Sequence, residues 1–250
     1  MEWAESFYAM QDELSGVYTG ALHPQQQDRE RAELVTTHLS SPPGVVLELG
    51  AGGGLSALAT AQRGHNVTAV ELVTHAAAHA RRLIPNATPG TLRVIEGTFY
   101  TVELPEQFDV VCYWDGFGIG TDEDQQTLLR RIAAWLKPSG IALIDINTPW
   151  YWAQAAGQRM TTSTFVREYG FDADGCRMLD HWWPPQHEDQ RVTQSLRCYS
   201  PQDLRLLLKG TGLILERLVP GGAVDYEAHS YTSNVSLERA MQYCAHLRRE

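Results

Sequence analysis

Two carboxylates and a run of glycines carry the first chemical signal. In LELGAGGGLSA, residues 47 to 57, Glu48 precedes Gly50, Gly52, Gly53 and Gly54. Glycine accepts positive φ and has no Cβ to collide with a ligand. A helix that opens directly after such a turn offers free N–H donors. The combination suits a nucleotide-like cofactor. The glycines run G-x-G-x-G at Gly50, Gly52 and Gly54. The dinucleotide fingerprint G-x-G-x-x-G/A would need Gly or Ala where Leu55 stands, so the spacing leans away from NAD and FAD. Glu71 ends the next apolar run. A carboxylate there can accept both hydrogen bonds of a ribose diol, and Leu72 beside it can cover one face of an adenine.

A second group of residues offers a pocket and a base. Tyr8 and Tyr18 lie near the N-terminus, Trp114 and Phe117 after the FDVVCYW run, Trp150, Tyr151 and Trp152 after IALIDIN, and Trp182 and Trp183 further on. Such rings suit a flat or apolar small substrate, or a cation; they also suit the core of a lid. Asp115, His181 and His187 are the base candidates, His181 because a histidine titrates near neutral pH. DHWWPPQHED, residues 180 to 189, has no helical His spacing and is broken by two prolines. A metal site is therefore not expected.

These residues sit in an alternation of elements. VVLEL (45–49), NVTAVEL (66–72), LRVIEG (92–97), FDVVCYW (108–114), IALIDIN (141–147) and LILERLV (213–219) read as strands. Segments 55–63, 75–84, 121–137 and 200–212 read as helices. Thr121 with Asp124 makes a capping box, and Ser200, Pro201 and Asp203 open the last helix. The alternation predicts a Rossmann-like, doubly wound, mostly parallel sheet. Residues 1–40 read as helices, with Trp3, Phe7, Met10 and Leu14 on one face. Residues 148–199 read as an antiparallel excursion, with strands near 164–169, 176–183 and 191–199. Near the C-terminus, Leu237, Ala240, Met241, Cys244 and Leu247 have helical spacing, while Met241, Tyr243, Ala245 and Leu247 alternate as a strand does.

The balance of the chain narrows the partners. Its 250 residues carry a net charge of −10, with 43% hydrophobic residues. That acidity argues against a nucleic-acid ligand, which needs Lys and Arg on its phosphates. No run approaches the ~20 apolar residues of a membrane span, and the acidic N-terminal stretch is unlike a signal peptide. Cys112, Cys176, Cys198 and Cys244 are scattered and read as reduced thiols. The expectation is a cytoplasmic enzyme with a small-molecule substrate and neither nucleic acid nor membrane as partner; a homodimer is one option for its assembly.

ELGAGGG after a strand, AVEL at the second strand, FDVV at the fourth and LKPSGIALIDI at the fifth resemble the class I S-adenosylmethionine-dependent methyltransferases, most of all the small-molecule type. The resemblance covers residues 44–147 well and 200–219 loosely. It implies a seven-stranded sheet with an antiparallel strand near 240–248. It implies one methyltransferase domain over 1–250, with an N-terminal helical lid (1–40), a cofactor-binding core (44–147), a substrate lid inserted after strand five (148–199) and the end of the core (200–250). S-adenosylmethionine is then the cofactor. Glu48, Gly50, Ala51, Gly52 and Gly54 would hold its methionine end, Glu71 the ribose and Leu72 the adenine. Thr98 would stand where the family often has an Asp on the adenine amine, Phe99 would offer its N–H to the ring, and Trp114 would face the methionine part. Two alternatives stay open: a protein of this fold that binds the cofactor without transferring methyl, and an NAD-dependent oxidoreductase.

Overall fold

The computed structural model describes residues 2–39 and 42–250; Met1 and Ser40, the ends of the expected N-terminal lid, and Ser41 lie outside the described residues. Two helices come first, α1 (Glu2–Ser15) and α2 (Gln26–Thr37). The alternating core follows: β1 (Val45–Leu49), α3 (Leu55–Gln62), β2 (Asn66–Glu71), α4 (Thr74–Leu83), β3 (Thr91–Glu96), β4 (Phe108–Tyr113), α5 (Asp122–Trp135) and β5 (Leu136–Asn147). An excursion holds α6 (Pro149–Ala155), β6 (Arg159–Thr161), β7 (Val166–Asp172), β8 (Arg177–Trp183) and β9 (Val192–Arg197). The chain returns through α7 (Pro201–Leu207), β10 (Leu213–Pro220), the short pair β11 (Ala223–Asp225) and β12 (Ser230–Thr232), and β13 (Gln242–Arg249).

The main sheet has seven strands in the order β10-β13-β5-β4-β1-β2-β3. Its pairs are parallel except those of β13, which runs antiparallel to both β10 and β5. The helical alternative for residues 240–248 is thereby overturned. Tyr243, Ala245 and Leu247 are fully buried, and pairing on both sides satisfies the backbone. The sheet faces divide along β1. Leu47 and Leu49 join the cluster under α5 and α7, while Val46 joins the cluster under α2 and α3. Alternation therefore sends Glu48 to the α2 side, beside its register partner Cys112.

Local signals act as their chemistry predicts. Thr121 Oγ1 accepts from the Asp124 N–H at 3.2 Å, and Asp124 accepts from the Thr121 N–H at 2.8 Å. Ser200 and Asp203 repeat that arrangement at α7. Three boundaries differ from expectation. β5 starts at Leu136, which pairs with Phe108 before a bulge; α7 ends at Leu207; and the excursion contains the helix α6. The N-terminal stripe is also shifted: α1 buries Ala4, Phe7 and Asp12, while Trp3 faces outward. The excursion forms a four-stranded antiparallel sheet, β6-β7-β8-β9, and α1 packs against β8 and β9.

Candidate active site

The glycine turn joins β1 to α3 at the carboxyl end of the sheet, where open α/β sheets bind ligands. It is braced from the next strand. Glu71 Oε2 accepts from the Gly52 N–H and Oε1 from the Val73 N–H, each at 2.7 Å. The Ala51 N–H donates to the Val70 carbonyl at 3.1 Å. Burial pushes the Glu71 carboxyl above the usual range, against the pull of the Val73, Gly52 and Leu72 N–H groups. Behind the turn, His79 Nδ1 lies 2.8 Å from the Gly53 carbonyl.

The N-terminal segment covers this turn. Gly52 has φ +53°, and a Cβ there would stand 2.8 Å from the Tyr18 ring; a Cβ on Gly53 would stand 1.8 Å from the Tyr18 carbonyl. Only bare backbone allows that approach. Asp12, itself buried, holds Tyr18 in place. It accepts from the Tyr18 N–H (2.7 Å), the Thr19 N–H (3.1 Å) and the Thr19 hydroxyl (2.7 Å), and pairs with His75 at 3.2 Å. The Tyr18 hydroxyl donates to Gln11 at 2.7 Å. Tyr8 stands edge-on to Tyr18, with ring centroids 6.1 Å apart, and its hydroxyl accepts from Gln194 of β9 at 2.6 Å. A continuous line of contacts thus runs from glycine turn to Tyr18, Tyr8 and the four-stranded sheet.

Beneath the turn, on the α2 side, lies a polar cluster. Arg31 of α2 pairs with Asp115 and, at 3.5 Å, with Asp145 of β5, and its guanidinium stacks 5.3 Å from the Trp114 ring. Burial pushes the Glu48 carboxyl up to about 8, with Arg31 opposing the shift. Burial and the neighbouring Asp115 push Asp145 upward, and Arg31 again pulls back. Asp115 adopts φ +57° in the turn after β4.

The expected site residues divide. Glu48, Gly50, Ala51, Gly52, Gly54, Glu71 and Leu72 gather around the turn, and Thr98 and Phe99 follow β3 beside it, with the Phe99 ring 5.3 Å from Tyr113. Trp114, expected to face the cofactor, is instead buried among Val35, Leu58 and Leu143 under α2, because alternation along β4 turns it to that side. The ring against Gly50 is Tyr113, 3.2 Å from where a Cβ would stand. Phe117, expected in the pocket, is core, between Tyr113 and Tyr199. Tyr151 is held by β11 through Val224, and Trp150 donates to the Leu237 carbonyl at 3.0 Å; both serve lid packing.

His181 needs the clearest correction. It faces Glu168 and Thr193 across the sheet, and its Nδ1 lies 2.8 Å from the Thr193 hydroxyl. Its neighbour Asp180 takes the opposite face, so period-2 alternation turns His181 away from Tyr8 and the glycine turn. His187 is exposed beyond β8. On the inner face, Trp182 packs on Phe165 (4.5 Å), and Asp180 receives a two-pronged bond from Arg167, 2.8 Å on each prong. Arg31, Asp145, Asp180, Gln194 and Asp12 carry no local sequence signal, since each matters only through a residue remote in the chain.

The donor set fits S-adenosylmethionine. It offers a bare glycine turn against which Tyr18 closes, two buried carboxylates near the ends of adjacent parallel strands, and the covering segment that carries Tyr18. Residues 46–140 match the family model of a methyltransferase domain. The chain carries a methyltransferase domain. Among curated relatives, this domain is 37% identical over 100 residues to protein arginine N-methyltransferase PRMT10 of Oryza sativa subsp. japonica, covering 39% of this chain and 26% of that protein. It is 30% identical over 125 residues to the cypemycin N-terminal methyltransferase of Streptomyces sp, covering 49% and 50%. The chain thus spans between a quarter and half of these relatives. The fold extends further: the CcbJ methyltransferase from Streptomyces caelestis superposes with a TM-score of 0.71 at 21% identity, over 90% of each chain. Among the described residues no helix is long and apolar enough to cross a membrane, and no cluster of side chains could hold a metal ion.

Proposed function

We propose that this methyltransferase domain transfers a methyl group from S-adenosylmethionine to nitrogen or oxygen of a small organic molecule. The supporting observation is the glycine turn braced by Glu71 and covered by Tyr18. When bound, the cofactor supplies a methyl group on a sulfonium centre, open to in-line displacement by a nucleophile. Gly50, Ala51, Gly52 and Gly54 would line its methionine end with Glu48 behind them; Glu71 would accept from the ribose, and Leu72, Thr98 and Phe99 would flank the base. Each Glu71 oxygen accepts one of the Gly52 and Val73 N–H groups, and a carboxylate has about four acceptor positions, so acceptor capacity remains for the ribose hydroxyls. Tyr8, Tyr18 and α1 would exclude water from the reacting atoms. With His181 on the outer face, Asp115 is the remaining base candidate. The four free cysteines suit a reducing compartment such as the cytoplasm.

The test is a calorimetric titration with S-adenosylmethionine, S-adenosylhomocysteine and NAD in parallel. Micromolar binding of the first two and none of NAD is expected; binding of NAD alone would replace this reading with an oxidoreductase. Glu71→Ala is expected to weaken cofactor binding by roughly 1–3 kcal/mol, the scale of a hydrogen bond to a charged group. Equal binding by the variant would remove Glu71 from the site. A cofactor that binds and is never consumed would identify a binding protein of the same fold.

A further inference from the structure

Two of the four cysteines meet across the four-stranded sheet. β8 and β9 run antiparallel, with Arg177 opposite Arg197 and Met178 opposite Leu196. The Cys198 N–H donates to the Cys176 carbonyl at 2.9 Å, which extends that ladder by one pair and sets Cys176 opposite Cys198. Alternation along both strands puts the two cysteines on the face of Met178 and Leu196. All four belong to one cluster with Ile119, Tyr151 and Trp152. The Cys176 thiol donates across the pair to the Cys198 carbonyl at 3.6 Å. Opposed residues joined by ladder hydrogen bonds have Cα atoms about 5.5 Å apart, inside the range of roughly 4.4–6.8 Å that a disulfide spans. The other two cysteines are an internal control. Cys112 and Cys244 share the α2 face of the main sheet, but β5 runs between their strands. Two strand spacings hold them about 10 Å apart, too far for a bridge.

The partners are unequal in the way that thiol–disulfide exchange uses. Cys176 is half-buried at the end of the turn between β7 and β8, whereas Cys198 is fully buried. Burial pushes the Cys198 thiol up to about 12 against the pull of the Met178 N–H; Cys176 adds to the rise, and Arg197 and Arg177 oppose it. Cys198 therefore stays protonated and inert until a reactive sulfur stands beside it. The pair also sits where the excursion rejoins the core. Arg177 donates to the Gly118 and Gly120 carbonyls at 3.2 and 3.1 Å, and Ile119 bridges to Leu196. The Tyr199 N–H donates to the Asn147 carbonyl, at the end of β5, at 3.0 Å. Between the two cysteines run Asp180, Trp182 and Gln194, the last of which holds Tyr8.

We propose that Cys176 and Cys198 are a reversible redox pair, which a small disulfide such as oxidised glutathione converts to an intrachain bridge that pins the four-stranded sheet. This does not depend on the methyl-transfer reading. The Cys176 thiolate attacks one sulfur of the small disulfide, forms a mixed disulfide and releases one small thiolate. Cys198 then gives its proton to water and attacks the Cys176 sulfur. The bond from Cys176 to the second small sulfur breaks, and that sulfur leaves as a thiolate. The two cysteines lose two electrons in all, and the small disulfide is reduced to two thiols. Proximity, rather than the thiolate fraction of Cys198, drives the second step.

The experiment incubates the folded protein with oxidised glutathione, quenches in acid, unfolds and alkylates it, and reads unreduced peptides by mass spectrometry. A Cys176–Cys198 linked peptide is expected, with Cys112 and Cys244 alkylated. The linked form should melt roughly 5–10 °C higher, the effect of closing a loop of this length. Its amides at 177–197 should exchange more slowly, and dithiothreitol should reverse both changes. Cys198→Ser should stop at a glutathione adduct on Cys176, and Cys176→Ser should take up no glutathione on Cys198. Because Cys198 is fully buried, Cys176→Ser and the peptide map of the parent decide the matter if Cys198→Ser fails to fold. An adduct that persists on Cys176 in the parent protein, a link through Cys112 or Cys244, or no reaction overturns the pairing. A Cys176–Cys198 link with no rise in melting temperature overturns the pin.

Discussion

Glu48 carries a pH signature of its own. Its carboxyl moves from an ordinary 4.5 to about 8 in the folded protein, chiefly through burial. The folded state therefore holds a proton that the unfolded state releases, and the associated stability is complete below about 4.5 and fades as pH rises through about 8. Thermal melts between these limits should flatten in Glu48→Gln; an unchanged slope would show that another group carries the dependence. Gly52→Val should abolish detectable cofactor binding, because its Cβ would meet the Tyr18 ring and a β-branched residue resists φ +53°. Calorimetry beside a circular-dichroism melt separates that effect from unfolding. Gly52 is legible in the sequence because a local glycine turn defines it, and Glu71 because it ends the next apolar run. Arg31 is not. Among Arg29, Glu30 and Glu33 it reads as part of a solvated helix face, and only the fold brings it to Asp115 and Asp145, which lie on other elements.

At the level of elements, the N-terminal segment behaves as a lid tied at one point. Asp12 gathers two backbone N–H groups, a hydroxyl and His75, and sets Tyr18 over the glycine turn. Asp12→Ala should speed hydrogen exchange at residues 16–20 and lower turnover, at a cost of about 1–3 kcal/mol for the donors left unpaired. Exchange unchanged at those amides would sink the tether. A variant lacking residues 1–20 is a blunter probe, since it also removes the buried Phe7. Helical spacing announced that α1 exists but misplaced its buried face. The stripe through Trp3 shares Phe7 with the buried face, which runs instead through Ala4 and Asp12, with Tyr8 meeting Gln194. The same limit applies to His181: alternation was readable in β8, but which face met the core was not.

Across the whole molecule, the alternating run from β1 to β5 was the most legible part. The central strands β1, β2, β4 and β5 are mostly apolar because both sheet faces are covered there, the edge strand β3 is more exposed, and each helix between them is punctuated by glycine, proline or a capping pair. The return of the chain was less so, since β13 satisfies two periodicities and only its neighbours decide between them. Its position makes it a keystone of stability. Leu247→Ala, in a fully buried site, should cost about 2–4 kcal/mol in chemical denaturation. A loss under 1 kcal/mol would mean that the strand is replaceable. β13 lies between β5 and β10 yet follows every other strand in the chain. A polypeptide leaving the ribosome must therefore carry two long unpaired strand edges until residues 242–249 emerge. Until that strand arrives, the newly made sheet is open to pairing with another chain.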